Sequence, residues 1–150
     1  MKTVEVTSIF SDDIERCWRL VQKTATLDFV TEGFIELQWL DALPEEWVEG
    51  EAYRTRSKVF GFLPFGGVHT IKVVKVDHEN KILSTHESDA VIKTWNHDLI
   101  VQDEDGRVKY TDRIEIDAGF LTFAVCIFAK LFYEHRQRRW RLLLRDQISS

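Results

Sequence analysis

Residues 119–147 read GFLTFAVCIFAKLFYEHRQRRWRLLLRDQ, and the fold turns on them. Between Phe120 and Tyr133 only Thr122 and Lys130 interrupt an apolar, aromatic-laden run. The run has no proline and no interior glycine, and at this length it predicts a helix. Beyond Tyr133 the character changes. Arg136, Arg138, Arg139, Arg141 and Arg145 enter, while Phe132, Arg136, Trp140 and Leu143 recur at three- and four-residue steps. One long helix is therefore expected, apolar all round in its first half and amphipathic in its second. A helix apolar all round must be enclosed on most sides. Its fourteen residues rise about 21 Å, short of a bilayer's hydrocarbon core, so the enclosing material is expected to be protein.

The remaining chain has to supply that enclosure. A length of 150 residues suits a single domain, residues 1–150, with a sizeable core. The hydrophobic fraction of 44% and charged fraction of 30% are those of a soluble globular protein. Ten Phe and five Trp are more than a core of this size needs. The net charge of −5 is uneven: residues 120–150 carry six basic against two acidic side chains, or +4, which leaves −9 on the rest. An acidic body gives no footing for nucleic acid, and none is expected as a partner. The Arg-rich end reads as the solvated face of a helix aligned with its dipole, with a phosphate or anionic-lipid contact as the rival reading. Cys17 and Cys126, far apart in apolar, helix-like settings, read as reduced core residues of a cytosolic protein. The start, Met1-Lys2-Thr3-Val4-Glu5, has no apolar signal region, so the expected location is the cytoplasm.

Taken in order, Thr3–Thr7 alternates as a half-buried strand. Ser11 or Asp12 offers an N-cap before Ile14, Cys17, Trp18 and Val21 at helical spacing. A short second helix over Leu27–Thr31 is stopped by Gly33. Strands are then expected around Ile35–Trp39 and Tyr53–Val59, and over Val68–Val76, Ile82–Glu87, Val91–Gln102 and Arg107–Ile116. Turn clusters at Asp77-His78-Glu79-Asn80, Ser88-Asp89 and Asp103-Glu104-Asp105-Gly106 separate them, which predicts an antiparallel meander. The class is α+β: a curved antiparallel sheet of about seven strands around a long C-terminal helix, with two short helices between strands 1 and 2. The sheet's expected inner face mixes Tyr53, Thr55, Ser57 and Trp95 with His97, Tyr110 and Asp112. A tightly filled core would prefer aliphatic residues there, whereas a mixed aromatic and polar lining suits a small-molecule cavity.

This order resembles the helix-grip fold of the START-like (SRPBCC) superfamily, whose members include birch-pollen-allergen-like proteins, lipid-transfer domains and polyketide cyclases. Ile14-Glu15-Arg16-Cys17-Trp18, Leu43-Pro44 and Glu49-Gly50-Glu51 carry the likeness in the first third of the chain. Trp95-Asn96-His97, Tyr110 to Glu115, Phe132 to Arg136 and Arg139-Trp140 carry it in the rest. The chain resembles uncharacterised bacterial members most. The resemblance implies a cavity for a hydrophobic ligand and does not imply any one reaction.

The leading site candidate is His97 with Asp112. If Asp103–Gly106 is a four-residue loop, Gln102 faces Arg107 and His97 stands directly opposite Asp112, with Trp95–Ile114 and Leu99–Tyr110 on the same face. Such a pair fixes strand register, orients a ligand's polar group, or acts as acid and base. No nucleophile lies at an obvious spacing beside it. Phe128 and Phe132 are the helix's contribution to the expected ligand site. The loop Phe60-Gly61-Phe62-Leu63-Pro64-Phe65-Gly66-Gly67 is pliable and greasy, and Phe62, Leu63 and Phe65 are expected to gate the cavity mouth, as the resemblance implies. His69, His78 and His86 stand near Asp77, Glu79, Glu87 and Asp89 at turns and strand ends, and read as surface. No metal site is expected, and with no glycine-rich phosphate loop, no cofactor either.

Three functional readings result. The first is binding of a small, mostly hydrophobic molecule in an internal cavity, with His97–Asp112 as its polar anchor and no stable membrane insertion. The second is an enzyme resembling polyketide cyclases or dehydratases that uses the same pair as acid and base. The third is a protein-interaction module built on the greasy loop and the Arg-rich helix.

Overall fold

The structure is a computed structural model that describes residues 1–60 and 63–147. Strand β1 (Lys2–Phe10) leads into helices α1 (Ile14–Gln22) and α2 (Thr24–Thr31). Strands β2 (Ile35–Trp39), β3 (Ala52–Val59), β4 (Leu63–Asp77), β5 (Ile82–Ser88), β6 (Thr94–Glu104) and β7 (Arg107–Asp117) follow. A 3₁₀ turn at Gly119–Leu121 then opens helix α3, Thr122–Gln147. The described strands form one antiparallel sheet in the order β1-β7-β6-β5-β4-β3-β2. The expected α+β architecture is therefore present: seven curled strands hold the long helix, and the two short helices bridge the strands at the sheet's two edges. Among the described residues no helix is long and apolar enough to cross a membrane.

Local chemistry explains the element ends. Asp13, and neither Ser11 nor Asp12, caps α1, accepting from the Arg16 backbone N–H at 3.2 Å. Asp12 is taken by the Arg16 guanidinium instead. Helix α2 starts at Thr24, earlier than expected, because Lys23 takes an extended conformation that breaks α1 from α2. Gly33 ends that segment at φ 89°, a left-handed backbone favouring glycine. Register shifts at Arg56/Ser57 in β3 and Val73/Lys75 in β4 mark bulges, which bend strands and sharpen twist.

The β6–β7 hairpin corrects the expected register. Glu104 pairs with Arg107 across a two-residue turn, with Asp105 at φ 53° and Gly106 at φ 83°. Positive φ at both central residues is the signature of the tight turn that Asp-Gly favours. His97 therefore opposes Ile114, Leu99 opposes Asp112, and Trp95 opposes Ile116. The shift is two residues, so every side chain keeps its face, and His97 and Asp112 become diagonal neighbours.

The enclosure of α3 also differs from expectation. Val125, Ala129, Phe132 and Tyr133 face the sheet and are buried. Phe120 is 96% exposed and Phe123 69%, and Ile127 and Leu131 are exposed one and two turns further along. The run is thus apolar all round yet covered on one side only. Its carboxy-terminal half seats one apolar stripe: Trp140, Leu143 and Leu144 join Phe10, Trp18, Val21, Val108 and Tyr110 in one core cluster. Burial also pushes the Cys17 thiol in that cluster up to about 12, far from reactive thiolate.

Candidate functional site

A second cluster gathers Ile92, Trp95, Ile114, Ile116, Val125, Ala129, Phe132 and Tyr133. The two clusters are separated by a polar belt, visible on each element that crosses the interior. On β6, His97 lies between Trp95 of one cluster and Leu99 of the other; on β7, Asp112 lies between Ile114 and Tyr110. On α3, Arg136 and Gln137 lie between Tyr133 and Trp140, and all four belt residues are buried. Buried polar groups must find partners, so the belt's hydrogen bonds decide what it can do.

Asp112 is fully buried and satisfied at both oxygens. His97 Nε2 meets Oδ1 at 2.7 Å, and the Gln137 side-chain amide donates to Oδ2 at 3.0 Å. That amide also donates to the Val6 carbonyl at 2.7 Å, and the Ser8 hydroxyl donates to the Gln137 oxygen. His97 packs against Tyr133 with ring centroids 4.9 Å apart and the planes tilted by 52°. The Tyr133 hydroxyl accepts from the Trp95 indole at 3.0 Å, and burial pushes its pKa well above 10, so the phenol stays neutral. No other described group bonds the second ring nitrogen of His97. Asp112 and Gln137 thus hold the imidazole from behind.

In front of His97 lies a cavity of about 100 Å³ between the sheet, α2 and α3. Ile35, Leu37, Ile92 and Phe128 give it apolar walls, and Glu87, His69, His97 and Arg136 give it polar ones. Of the residues expected to line such a site, Ser57, Trp95, His97, Phe128 and Phe132 do so. Four do not. Tyr53 packs edge-on to Trp47, with centroids 5.5 Å apart, and Thr55 donates to the Gln38 carbonyl at 3.0 Å. Tyr110 is wedged between Phe10 and Trp140, and Asp112 sits behind His97. All four point inward as expected but are consumed by packing or hydrogen bonding. Of the expected gate, Phe62 lies outside the described residues, as do the side chains of Leu63 and Phe65. The backbone from Leu63 onward belongs to β4, paired with the end of β3, so the loop is shorter than the sequence suggests.

His69 corrects the surface reading. His78 and His86 are exposed, but His69 lines the cavity, its Nε2 2.9 Å from Glu87 Oε1 and its Nδ1 3.1 Å from Asp89 Oδ2. Burial opposes a charge on His69, yet the hydrogen bonds its ring donates to Asp89 and Glu87 outweigh it and raise the pKa from 6.5 to about 9. Glu87 is pushed up by burial and pulled down further by His69, for a net lowering. Its second oxygen accepts from the Thr85 hydroxyl at 2.7 Å, and Asp89 also accepts from the backbone N–H groups of Val91 and Ile92. This carboxylate–imidazolium–carboxylate cluster is the part of the site that sequence reasoning missed. The weak signal was the shared parity of His69 and Glu87 with Ile71 and Thr85 on paired strands. Among the described residues no group of three His, Cys, Asp or Glu side chains is arranged to hold a metal ion.

Arg136 is the second omission. It is only 7% exposed, lines the cavity, and lies over the rings of Tyr133 and Phe132, its Cζ 4.9 and 5.6 Å from their centroids. Burial disfavours its charge, but the fields of the Asp112 and Glu87 carboxylates outweigh that and raise its pKa. The residue was readable as one more arginine on a solvated face. Its place in the Phe132–Arg136–Trp140 stripe argued otherwise.

Residues 38–144, more than half of the chain, match the model of a domain of unknown function, DUF8410. The chain belongs to this family. Every member of the polar belt on β6, β7 and α3, together with His69 and Glu87, falls inside the matched span of the DUF8410 domain. No curated protein matches the DUF8410 chain in sequence. Solved structures match it in shape. A START superfamily protein from Mycobacterium smegmatis aligns over 97% of this chain and 98% of its own, with a TM-score of 0.71 at 10% identity. A Chromobacterium violaceum protein does so over 96% and 98%, with a TM-score of 0.71 at 12% identity. Major latex-like protein 151 of Panax ginseng covers 95% and 97%, at 0.69 and 11%. At these identities the likeness shows the fold alone. This chain has the helix-grip fold.

Proposed function

We propose that this DUF8410 protein binds a small, mostly hydrophobic molecule in the cavity between sheet and α3, oriented by the polar belt. The observation that carries the reading is a partly open cavity of about 100 Å³ at the level of the polar belt. Apolar voids of comparable size take up benzene-sized guests, while a polar rim fixes a guest's orientation. The volume favours a single ring or a short acyl chain over a full lipid. His97, with Asp112 and Gln137 as positioning residues, presents an oriented imidazole to the guest. The cytoplasm is the compartment that suits two free cysteines.

A second reading, acid–base chemistry at His97, is favoured by its buried 2.7 Å contact with Asp112, which leaves the other ring nitrogen unbonded by any described group. No hydroxyl or thiol nucleophile hydrogen-bonds His97 among the described residues, which keeps binding first. Native mass spectrometry of protein purified from its own host tests the reading. A retained organic mass above the 17.6 kDa chain, released on denaturation, supports it. An empty protein that takes up no small aromatic guest at millimolar concentration contradicts it.

A further inference from the structure

Three buried side-chain polar atoms lack a hydrogen-bond partner among the described residues, the Tyr110 hydroxyl, Trp140 Nε1 and Arg136 Nε, and of these only Arg136 belongs to the belt and carries a charge. Glu87, His69, Asp89, Asp112 and Gln137 are all hydrogen-bonded, and Lys23 at the cavity edge pairs with Glu45 at 3.2 Å. Arg136 is different. Its guanidinium is buried, forms no ion pair and no side-chain hydrogen bond among the described residues, and its Nε–H is enclosed without a partner. Ring stacking on Tyr133 and Phe132 covers the face of the fork but does not use its N–H edge. An arginine carries five such donors, and enclosing even one of them unpaired is costly.

What completes the fork must be an acceptor, and the charges around it restrict which kind. Two carboxylates, Glu87 on the cavity wall and Asp112 behind His97, already lie close enough for their fields to act on Arg136. Asp112 and Glu87 offset the Arg136 charge through space without reaching it. A further anion would meet their repulsion. A neutral oxygen acceptor meets none.

We propose that Arg136 is the head-group anchor of the cavity, and that its ligand is a compact ring or short-chain molecule bearing a carbonyl oxygen. This rests on the cavity being a binding site. It adds the chemical class of the ligand and moves the principal polar contact from His97 to Arg136. His97 and Tyr133 flank that contact, their rings packed at a tilt with centroids 4.9 Å apart, and Tyr133 lies against the guanidinium.

The test uses three probes of similar size, ethylbenzene, acetophenone and benzoate, titrated into the full chain and followed by methyl NMR. Dissociation constants are measured for the wild type, Arg136→Met and Arg136→Lys. Met keeps much of the apolar stem, and Lys keeps the charge but not the fork. The expected result is a loss of tenfold or more in acetophenone affinity in Arg136→Met, a smaller loss in Arg136→Lys, and ethylbenzene affinity unchanged or improved in both. Equal losses for the two probes would mean that Arg136 only supports the cavity's shape, and would overturn the inference. Benzoate binding more tightly than acetophenone, with the margin lost in Arg136→Met, would overturn the carbonyl assignment in favour of a carboxylate. If ethylbenzene binds and acetophenone is indifferent to Arg136, the cavity reading stands and this inference falls. If no probe binds the wild type, both fall. Arg136→Lys decides the matter should Arg136→Met fail to fold.

Discussion

The two ends of α3 do different work with similar residues. At the carboxy-terminal end, Trp140, Leu143 and Leu144 close against Phe10, Trp18 and Tyr110, and the aromatic rings touch, Phe10 and Tyr110 with centroids 5.5 Å apart. At the amino-terminal end, Phe132 and Phe128 look across a void, while Phe120 and Phe123 on the far side of the same helix meet solvent. Close packing makes the first end a source of stability. Incomplete packing makes the second a place where something else can bind, at some cost in stability. The polar belt lies at the boundary between them.

The contrast breaks most directly under truncation. Phe10→Ala should cost about 3–5 kcal/mol, the usual penalty for emptying a filled aromatic site. Phe132→Ala already borders free volume and should fall at the bottom of that range, about 3 kcal/mol or less. Paired denaturant titrations check this, and equal penalties would mean that the two ends are packed alike.

The His69 cluster should contribute next, through pH. A folded pKa near 9 against 6.5 unfolded means that its contribution is whole below pH 6.5 and fades as pH rises toward 9. The size is on the order of 3 kcal/mol. Glu87 and Asp89, held low in the folded state, act in the opposite sense, adding stability above their ordinary values of 4.5 and 3.8 and losing it in acid. Stability should therefore plateau between roughly pH 5 and 6.5 and decline on both sides. His69→Gln should flatten the alkaline slope, and an unchanged slope would place the titration elsewhere.

Asp112→Asn should cost about 1–3 kcal/mol, since a charged acceptor bonded by His97 and Gln137 becomes a neutral one. If the belt only holds register, guest affinity should survive in the folded fraction. If His97 orients the guest, affinity should fall with it. The smallest effect belongs to the exposed face: Ile127→Gln should change stability by less than about 0.5 kcal/mol. A clearly larger loss that depends on protein concentration would show that a second molecule covers this face.

Much of this architecture is legible in the residues, because alternation and turn chemistry report strands locally. The register of the last hairpin was misjudged by two because Asp103–Gly106 contains several turn-formers, and only Asp105-Gly106 makes the turn. Parity survived that slip, and so the His97–Asp112 contact was found. Helical periodicity could not divide the Phe120–Tyr133 run into inner and outer faces, since every position is apolar enough for either. His69 and Arg136 escaped for a common reason. Each sits among residues of like type, histidines near turns and arginines near a helix end, and only tertiary pairing singles one out.

The central claim is that the void beneath the middle of α3, from Phe128 to Trp140, is a binding site and that the packing beyond it, around Val108, Leu143 and Leu144, is sealed. Methyl-resolved NMR of the intact chain during an ethylbenzene titration tests it. Saturable shifts are expected at Ile35, Leu37 and Ile92, which line the cavity, with Val108, Leu143 and Leu144 unmoved. No saturable shift at the first three, or equal shifts at all six, would contradict it.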